Sequence, residues 1–390
     1  MKKTFGVQIL SPWVFAVLAF SVSANADVVR DDGAFVDPPY RNLRHPRVEA
    51  TPMEVLMDLL SERRKAPRSS ETAQLSRKIT PARSQGSRGT CSIFSATGML
   101  EAMLILKKDA TPAIDLSEEW LEYLIMRESG SEGSSSDNNF DAIGLNGMPS
   151  EEFLPYIGET WEKLSDSPLA EERCGKATHR DLETCLLGHR KSELLNLTPA
   201  VLNNSASEHY DPEFAVARVE ALKMKKKVLR KYGRSVGNGQ SWVASASEAK
   251  KLLAQGIPVT LDIDFYYGAW NHRKAEEYGL GRDMDQWGNG VVGYPEVGSL
   301  DRKVALEHPA GHSVLLVGYD DDVEVTTEVK MANGSTKKFT YKGVYYFKNS
   351  WGTESFGASF EVGGEKFPGF GTITQKYAHE QGAFFQMQLE

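Results

Sequence analysis

The hydrophobic pattern of the chain changes at Gly256, and this change narrows the folds that the chain can adopt. Before Gly256, apolar residues recur at helical spacing, and in residues 91–107 they cover most of the helix circumference. That segment is predicted to be a buried helix. After Gly256, residues 257–265 alternate as a strand does, and residues 312–319 form the short apolar run of a buried strand.

A hairpin signal follows the second of these strands. Residues 323–331 and 336–347 have strand character and flank Asn333-Gly334, the dipeptide that most favours a tight turn. The two segments are therefore predicted to pair antiparallel. Helices followed by an antiparallel sheet predict the α+β class.

Composition excludes several classes of protein. With 390 residues, the chain is long enough for two or three domains, or for one enlarged domain with additions. Its hydrophobic share of 41% and charged share of 25% are those of a globular protein, which excludes wholesale disorder, collagen and a coiled coil. The net charge of −8 argues against nucleic acid as a partner.

The first 26 residues have the features of a signal peptide. Lys2 and Lys3 precede a mostly apolar stretch at residues 9–22, and residues 21–26 end in the small-x-small pattern of a cleavage site. The alternative is a membrane anchor, but this stretch is shorter than the ~20 residues that a span requires, and no later stretch is that long. We therefore expect a secreted, extracellular protein that starts near Asp27 and is not stably inserted in a membrane.

A second N-terminal segment, residues 27–78, separates the signal peptide from the rest of the chain. Residues 51–65 are predicted to form one amphipathic helix that Thr51 can cap, and such a helix must bury its apolar face on another part of the protein. Residues 66–78 are rich in Ser, Arg and Thr and are predicted to be an exposed, cleavable linker.

The first chemical signal is the sequence QGSRGTCSIFS, which runs from Gln85 to Ser95. Its glycines allow a tight turn that delivers the Cys91 thiol to the first turn of a buried helix, where the helix dipole stabilises a thiolate. The side-chain amide of Gln85 can donate a hydrogen bond to an oxyanion that develops beside the Cys91 backbone N–H.

A base and an orienting group occur in the C-terminal half. His312 opens an apolar strand after Ala310-Gly311, so its imidazole is predicted to lie at a sheet end. Asn349 follows a strand, in the sequence KNSWG, and a neutral amide can orient an imidazole without deprotonating it. Each residue alone has an ordinary structural explanation, so the argument depends on the combination.

In chain order, these residues lie in three segments that resemble the papain-like cysteine peptidases, namely QGSRGTCSIFS, HSVLLVGY and KNSWG. The resemblance covers roughly residues 79–156 and 250–375. It implies a papain-like two-domain fold, with a helical domain, an antiparallel β domain and a cleft between them. It also implies a role for each residue. Cys91 is the nucleophile, His312 is the base, and Asn349 is the amide that orients the base. Gln85 is the oxyanion donor, and Trp351 shields the Asn349–His312 pair from water.

The resemblance also implies an activity. It predicts an endopeptidase that acts on proteins or peptides and needs neither a cofactor nor a metal, with residues 79–390 as the peptidase domain. Residues 27–78 then have the position of an inhibitory prosegment, the alternative being a structural extension, and we expect a monomer. Two other functions fit the same residues: a papain-fold binding protein that has lost turnover, and a transferase or deamidase that uses the same nucleophile.

The chain departs from the family pattern at three places. Ser92 replaces the aromatic residue after the nucleophile, and Arg88 replaces a structural cysteine, so that Arg88 either helps to hold a thiolate or faces solvent. His312 lies 221 positions after Cys91, well beyond the ~130–150 expected. The excess is mainly a helical insertion at about residues 160–250, which we expect to form an added lobe or lid.

The insertion contains a strongly basic helix at residues 211–232. This helix is either a surface for membranes and acidic partners or, as is more common, a solvated face.

Family landmarks also indicate where a substrate side chain would bind. The corresponding positions are Gly133, in a Gly/Ser/Asp/Asn loop at residues 130–139, then Asp262 in the strand after Pro258, and Gly311 before the histidine. With Trp351, they form the predicted substrate-binding set. Asp262 either lines the pocket and favours a basic side chain or faces outward from its strand.

The three cysteines are an odd number for an exported protein. If Cys91 is the nucleophile, it is the reactive thiol that stays outside any disulfide. Cys174 and Cys185, with ten residues between them, then remain to pair, and their disulfide would staple the insertion. No metal site is predicted, because His308 and His312 share no ligand spacing with a cysteine.

Overall fold

The computed structural model describes residues 29–31, 34–36, 78–232 and 242–387. The predicted signal peptide, the predicted helix at residues 51–65 and the predicted linker before Lys78 lie outside these residues. Within the segment that precedes Lys78, the described residues are two short antiparallel strands, β1 (Val29–Asp31) and β2 (Ala34–Val36).

Helices predominate in the first part of the described chain and recur between the later strands. The α-helices are α1 (Cys91–Leu106), α2 (Glu118–Ser129), α3 (Ser136–Asn146), α4 (Pro168–Cys174), α5 (His179–Gly188), α6 (Pro199–Leu202), α7 (Pro212–Lys227), α8 (Ala246–Ala254), α9 (Lys274–Glu277), α10 (Met284–Gly288), α11 (Leu300–Glu307) and α12 (Gln375–Gln381). Short 3₁₀ helices lie at Glu151–Phe153, Leu164–Asp166, Ser192–Asn196 and Leu229–Tyr232. None of the described helices is long and apolar enough to cross a bilayer.

Strands predominate after residue 256. They are β4 (Val259–Asp264), β5 (Val291–Val292), β6 (Gly311–Lys330), β7 (Thr336–Lys348), β8 (Glu361–Val362), β9 (Glu365–Lys366), β10 (Phe370–Thr374) and β11 (Gly382–Phe385), preceded by β3 (Trp242–Val243). Seven of them form one sheet in the order β3-β11-β4-β6-β7-β10-β5. The α+β class is therefore confirmed.

The sheet differs from the predicted antiparallel sheet at one edge. Every neighbouring pair is antiparallel except β10 and β5, which run parallel. Strand β5 is only two residues long and lies in the connection between β4 and β6. A strand that short shows no alternation, so the sequence pattern could not predict it.

The hairpin at Asn333-Gly334 is confirmed. Strands β6 and β7 pair antiparallel down to Lys330 and Thr336, and Gly334 has φ 86°, a conformation that strongly favours glycine. Strand β6 is continuous from Gly311 to Lys330, so the two strands predicted at residues 312–319 and 323–331 belong to one long strand.

Helix α1 is buried on nearly all sides, as its apolar pattern predicted. Every residue from Cys91 to Leu104 is buried, including the small polar ones. The helix lies against strand β6, where the Ser95 and Ser313 hydroxyls are 2.6 Å apart. This contact joins the helix that carries Cys91 to the strand that carries His312.

The next two helices are α2 and α3, and the second begins inside a segment that was predicted to be a loop. Ser117 caps α2 by accepting a hydrogen bond from the Trp120 backbone N–H at 3.0 Å, and Gly130 ends it in the left-handed conformation. The loop predicted at residues 130–139 is shorter than expected, because α3 begins at Ser136. Phe140 and Ile143 are buried and hold α3 in place, so tertiary packing overrides the turn-forming composition.

The insertion adds helices to the helical side of the molecule. Phe214 of α7 is fully buried, and its ring lies 5.3 Å from the Trp120 ring and 4.7 Å from the Tyr123 ring, both on α2. Cys174 and Cys185 form the predicted disulfide, which joins α4 to α5.

Candidate active site

Helix α1 places its first residue, Cys91, in the protein interior. Cys91 has no exposed surface and is the cysteine outside the disulfide. The preceding residue, Thr90, does not cap the helix with its side chain, because its hydroxyl bonds to the Tyr156 hydroxyl at 2.6 Å. The first turn carries no acidic side chain, so the helix dipole can favour a thiolate without local opposition.

His312 and Asn349 meet at the start of β6 and the end of β7. His312 Nε2 lies 2.9 Å from Asn349 Oδ1, and the same oxygen accepts the Ser350 backbone N–H at 2.9 Å. The second bond fixes the orientation of the amide, so Nε2 must be the protonated ring nitrogen. Nδ1 therefore carries the lone pair, and it is buried and accepts no hydrogen bond from the described residues.

Aromatic rings surround the His312 imidazole. Trp351 stacks on it with ring centres 4.7 Å apart, and Trp270 and Phe265 approach edge-on at 5.0 and 5.9 Å. Burial in this shell lowers the pKa of His312 to about 4, although the hydrogen bond that its ring N–H donates to Asn349 acts in the opposite direction. The structure thus places Trp351 over the histidine, with 5% of its surface exposed.

Gln85 lies beside the same turn that holds Asn349. Its backbone N–H donates to the Ser350 carbonyl at 2.8 Å, and its side-chain oxygen accepts from the Ser350 hydroxyl at 2.7 Å. The side-chain nitrogen donates to the Arg88 carbonyl at 2.7 Å. The structure thus holds the Gln85 amide, between its two neighbours, close to the start of α1.

The loop that contains Gly133 lies next to residues 85–95, called here the nucleophile segment because they include the predicted nucleophile Cys91. Gly133 has φ 66°, and the backbone N–H of Ser134 donates to the Ser92 hydroxyl at 2.8 Å. The residue that replaces the family's aromatic position therefore binds the loop that was predicted to form a pocket wall.

Asp262 is buried and does not face outward. Its carboxylate accepts hydrogen bonds from the Ser136 backbone N–H at 2.8 Å, the Ser136 hydroxyl at 2.8 Å and the Ser313 hydroxyl at 2.6 Å. Burial raises its pKa to about 6 despite these bonds. Gly311 opens β6 and pairs with Asp264, which lies two residues after Asp262 on β4. The substrate-binding roles of Gly133, Asp262, Gly311 and Trp351 stay predictions.

Arg88 takes neither of the two positions expected from the sequence. Its side chain is fully buried, and its N–H groups donate to Glu132, Glu119 and the Leu187 carbonyl. Burial alone would lower its pKa, but these carboxylates raise the pKa above the ordinary value for arginine. No sequence pattern indicates this cluster, because the partners of Arg88 lie 31 to 101 positions away along the chain.

One group of carboxylates in the described residues has the spacing of a metal site. The oxygens of Asp115, Glu118 and Glu151 lie within 4.8 Å of one another. Arg83 forms an ion pair with Asp115, and the Tyr156 backbone N–H donates to Glu151 at 2.7 Å. Two of the three carboxylates therefore already have protein partners.

Two protein-family profiles match parts of the chain. The profile described as "Papain family cysteine protease" matches residues 66–267, and the profile described as "Peptidase_C39 like family" matches residues 198–359. The first includes Gln85 and Cys91, and the second includes His312 and Asn349.

Curated relatives match over a short stretch. Cathepsin K of Gallus gallus is 37% identical over 82 residues, which is 21% of this chain and 24% of that protein. Cysteine proteinase 1 of Entamoeba histolytica is 33% identical over 92 residues, 23% of this chain and 29% of that protein. The chain thus spans 24% and 29% of the lengths of these two relatives.

Solved structures match over most of the chain at low identity. Xylellain, a cysteine protease from Xylella fastidiosa, is 14% identical and covers 83% of this chain and 91% of its own, with a TM-score of 0.43. Procathepsin L 3 of the Tenebrio molitor larval midgut is 16% identical and covers 79% of this chain and 67% of its own, with a TM-score of 0.39.

The papain-like fold predicted from the sequence is confirmed by the first profile and by the helix-and-sheet architecture. That profile covers more than half of the 390 residues. This chain belongs to the papain family of cysteine proteases.

Proposed function

We propose that this protein is an exported cysteine endopeptidase, made as a zymogen, that hydrolyses peptide bonds through an acyl-enzyme on Cys91. The observation that carries the proposal is the 2.9 Å hydrogen bond between His312 Nε2 and Asn349 Oδ1. It leaves Nδ1 as the basic nitrogen, on a strand that the Cys91 helix contacts through Ser95 and Ser313.

The reaction is acyl transfer to water. The Cys91 proton passes to His312 Nδ1, and the thiolate attacks the substrate carbonyl carbon. The oxygen that becomes negative accepts hydrogen bonds from the Cys91 backbone N–H and from the side-chain amide nitrogen of Gln85. The C–N bond then breaks as His312 protonates the leaving amine. His312 finally takes a proton from water, whose hydroxide releases the acid product and the thiolate.

Asn349 and Trp351 support the histidine during this cycle. The amide oxygen of Asn349 keeps Nε2 protonated, so the proton always moves at Nδ1. The stacked indole of Trp351 excludes water from the histidine–asparagine bond, which strengthens that bond.

Export is supported by two features of the chain. The first is the signal-peptide pattern in residues 1–26. The second is the disulfide between Cys174 and Cys185, since disulfides persist mainly in oxidising compartments.

The zymogen proposal is supported by the burial of the reacting groups. Cys91 and His312 have no exposed surface in the full-length chain, so a peptide carbonyl cannot reach the thiol without a rearrangement. A prosegment that is removed by cleavage in residues 66–78 would supply this rearrangement. The proposed substrates are proteins and peptides, and the proposed state is a monomer.

Labelling with an epoxide-type thiol inactivator tests the function. We expect mass spectrometry to find the label on Cys91 in a chain that lacks residues 27–78, and to find none in Cys91→Ala. Ser92→Ala is the matched control, because it alters the neighbouring residue and keeps the thiol. The same preparation should cleave peptides that are blocked at both ends, as only an endopeptidase can.

Product analysis separates hydrolysis from transfer. In ¹⁸O-labelled water, hydrolysis places one labelled oxygen in each new carboxylate, whereas a transferase places an added amine there. Labelling of Cys91 without cleavage of any blocked peptide would contradict the proposed activity, and so would cleavage that survives Cys91→Ala.

A further inference from the structure

A buried cluster of charges lies directly behind the nucleophile segment. Arg88, three positions before Cys91, has no exposed surface. Its Nε donates to Glu132 Oε1 at 2.9 Å, Nη1 to Glu119 Oε2 at 3.0 Å, and Nη2 to the Leu187 carbonyl at 2.7 Å. The planar guanidinium therefore has a separate partner at each of its three nitrogens.

Glu132 connects the Arg88 side chain to the backbone of the nucleophile segment. While Oε1 accepts from Arg88, Oε2 accepts the Gly89 backbone N–H at 2.9 Å. Glu132 lies in the glycine-serine loop, residues 130–135, whose Ser134 N–H binds the Ser92 hydroxyl. The loop is thus tied to the nucleophile segment on both sides of Cys91.

The backbone of Arg88 holds the proposed oxyanion donor. Gln85 Nε2 donates to the Arg88 carbonyl at 2.7 Å, and Gln85 Oε1 is held from the other side by the Ser350 hydroxyl. The Arg88 side chain anchors the residue whose carbonyl aims the Gln85 amide. A shift of the Arg88 backbone would therefore move the oxyanion donor.

The same cluster reaches the helical insertion. Arg88 binds the Leu187 carbonyl, and Glu119 Oε1 lies 3.0 Å from His189 Nδ1 and 3.6 Å from Arg190 Nη1. These residues follow Cys185, which the disulfide fixes. The insertion thus contributes directly to the groups that hold Arg88.

The energetic character of the cluster points to a geometric role. Removing charges from water costs free energy, and apolar side chains of similar volume often stabilise a protein equally well. A buried arginine with three carboxylates around it, those of Glu119, Glu122 and Glu132, is therefore weak evidence for stability. Apolar packing cannot supply a fixed hydrogen-bond direction. The planar guanidinium of Arg88 supplies such directions to Glu132 in the glycine-serine loop and to the Leu187 carbonyl in the insertion.

We propose that Arg88 is a positioning residue for the peptidase reaction. Glu132 and Glu119 hold its side chain, so that Arg88 fixes the Gln85 oxyanion donor and ties the glycine-serine loop to the nucleophile segment. It does so at the position where the family pattern has a cysteine. The proposal rests on the proposed peptidase function. Arg88 acts through Gln85 and does not touch the substrate.

The test compares two reactions of the same thiol. Iodoacetamide alkylates Cys91 by displacement of iodide and forms no oxyanion, whereas hydrolysis of a blocked peptide and binding of a peptide aldehyde both require the oxyanion donors. All proteins are the chain from Asp27, nicked in residues 66–78 by brief trypsin treatment. Wild type and variants are thus processed by the same external protease.

For Arg88→Met we expect kcat for hydrolysis and aldehyde affinity to fall about 100-fold to 1000-fold, the range for losing one oxyanion donor. The alkylation rate of Cys91 should stay within about threefold of wild type. Gln85→Ala should show the same pattern, and the double variant should be no worse than either single one, because both act on one hydrogen-bond donor. Arg88→Lys, which keeps the charge and loses the fork, and Glu132→Gln should give intermediate losses.

Arg302→Met is the matched control. Arg302 is a partly buried arginine of the β domain that binds the Pro295 carbonyl and the Tyr294 hydroxyl, so its loss should leave both reactions unchanged. The proposal is overturned if Arg88→Met slows alkylation and hydrolysis equally, which would indicate general loss of structure, or if it slows neither. It is also overturned if the effects of Gln85→Ala and Arg88→Met multiply. Absence of hydrolysis in the wild type is a separate result, which overturns the peptidase function and this proposal together.

Discussion

Asn349 controls His312 without carrying a charge. Its side-chain oxygen accepts two N–H groups, one from the imidazole and one from the Ser350 backbone, and this fixes which ring nitrogen is basic. A carboxylate at this position would also raise the pKa of the ring. With the amide, burial dominates and lowers the pKa of His312 to about 4, so the resting base is neutral at ordinary pH.

Asp262 gives a pH-dependent prediction at the residue scale. Burial raises the pKa of its carboxyl to about 6, so the group is charged above about pH 6 and neutral below it. If Asp262 lines the substrate pocket, a preference for Arg or Lys should exist above pH 6 and be lost as the pH falls through 6. We expect a loss of roughly tenfold, the value of one hydrogen bond to a charged group. The measurement is kcat/KM for paired peptides that differ at one residue, at pH 5 and 7.5.

Two variants decide whether Asp262 is responsible for the preference for Arg or Lys. Asp262→Asn should abolish the preference at both pH values, and Asp262→Ala should relax it in the same way. Ser136→Ala removes one hydrogen-bond donor to the carboxylate and keeps the charge, so it should retain the preference. An unchanged preference in Asp262→Ala would show that the residue only joins β4 to α3.

At the scale of elements, local patterns predicted what is locally determined. The apolar run predicted α1 and Asn333-Gly334 predicted the β6–β7 hairpin, because each signal lies within the element itself. Helix α3 was missed because its first turn is Ser, Asp and Asn, which favour turns, and only the packing of Phe140 and Ile143 selects a helix.

The candidate active site shows the same difference between features that local patterns determine and features that tertiary packing determines. Gln85, Cys91, His312 and Asn349 were predicted because each lies in a short motif at the end of an element, and the structure brings Gln85 and Asn349 to one turn through Ser350. The partners of Arg88 could not be predicted, since Glu119, Glu132 and Leu187 lie in three separate segments. The sequence left two alternatives open for Arg88, a group that helps to hold a thiolate and a solvent-exposed side chain, whereas the fold surrounds it with carboxylates.

The disulfide gives a prediction for helices α4 and α5. The apolar cluster around Cys174 and Cys185 is small, with Trp161, Ala170 and Leu186 as its other buried members. Replacing both cysteines by Ser should therefore cost about 3 kcal/mol, the chain-entropy value for so short a loop. Urea unfolding measures the loss, and limited proteolysis should locate it in residues 160–190.

Reduction provides the control for this prediction. Dithiothreitol should destabilise the wild type by a similar amount and leave the double Cys→Ser variant unchanged. Equal stability of the oxidised wild type and the variant would show that α4 and α5 are held by packing and not by the disulfide.

At the scale of the whole molecule, helices and sheet meet where the reacting groups lie. The apolar side chains between α1 and one face of the sheet form one core, and the aromatic residues on the other face form a second. Cys91 opens α1, and the His312 ring lies against Phe265, Trp270 and Trp351 of the second core, so a relative movement of helix and sheet would shift the Cys91 side chain relative to the His312 ring. The Ser95–Ser313 and Gln85–Ser350 contacts resist such movement.

Removal of residues 27–78 gives a prediction for the whole chain. In the full-length protein, neither Cys91 nor His312 has exposed surface, so reaction with an external peptide requires an open form. If the closed form outweighs the open one by about 99 to 1, the chain from Asp27 should react roughly 100-fold more slowly than a chain from Ile79. The measurement is the rate of epoxide labelling at Cys91 together with the rate of hydrolysis of a blocked peptide.

Addition of the missing segment separates inhibition from a change in folding. A peptide of residues 27–78 should restore slow labelling when it is added to the chain from Ile79, whereas a scrambled peptide of the same composition should not. Cleavage of the full chain in residues 66–78 should raise its rate toward that of the shorter chain. If both chains react equally fast, residues 27–78 are a structural extension, and access to Cys91 must be controlled by a movement within residues 79–390.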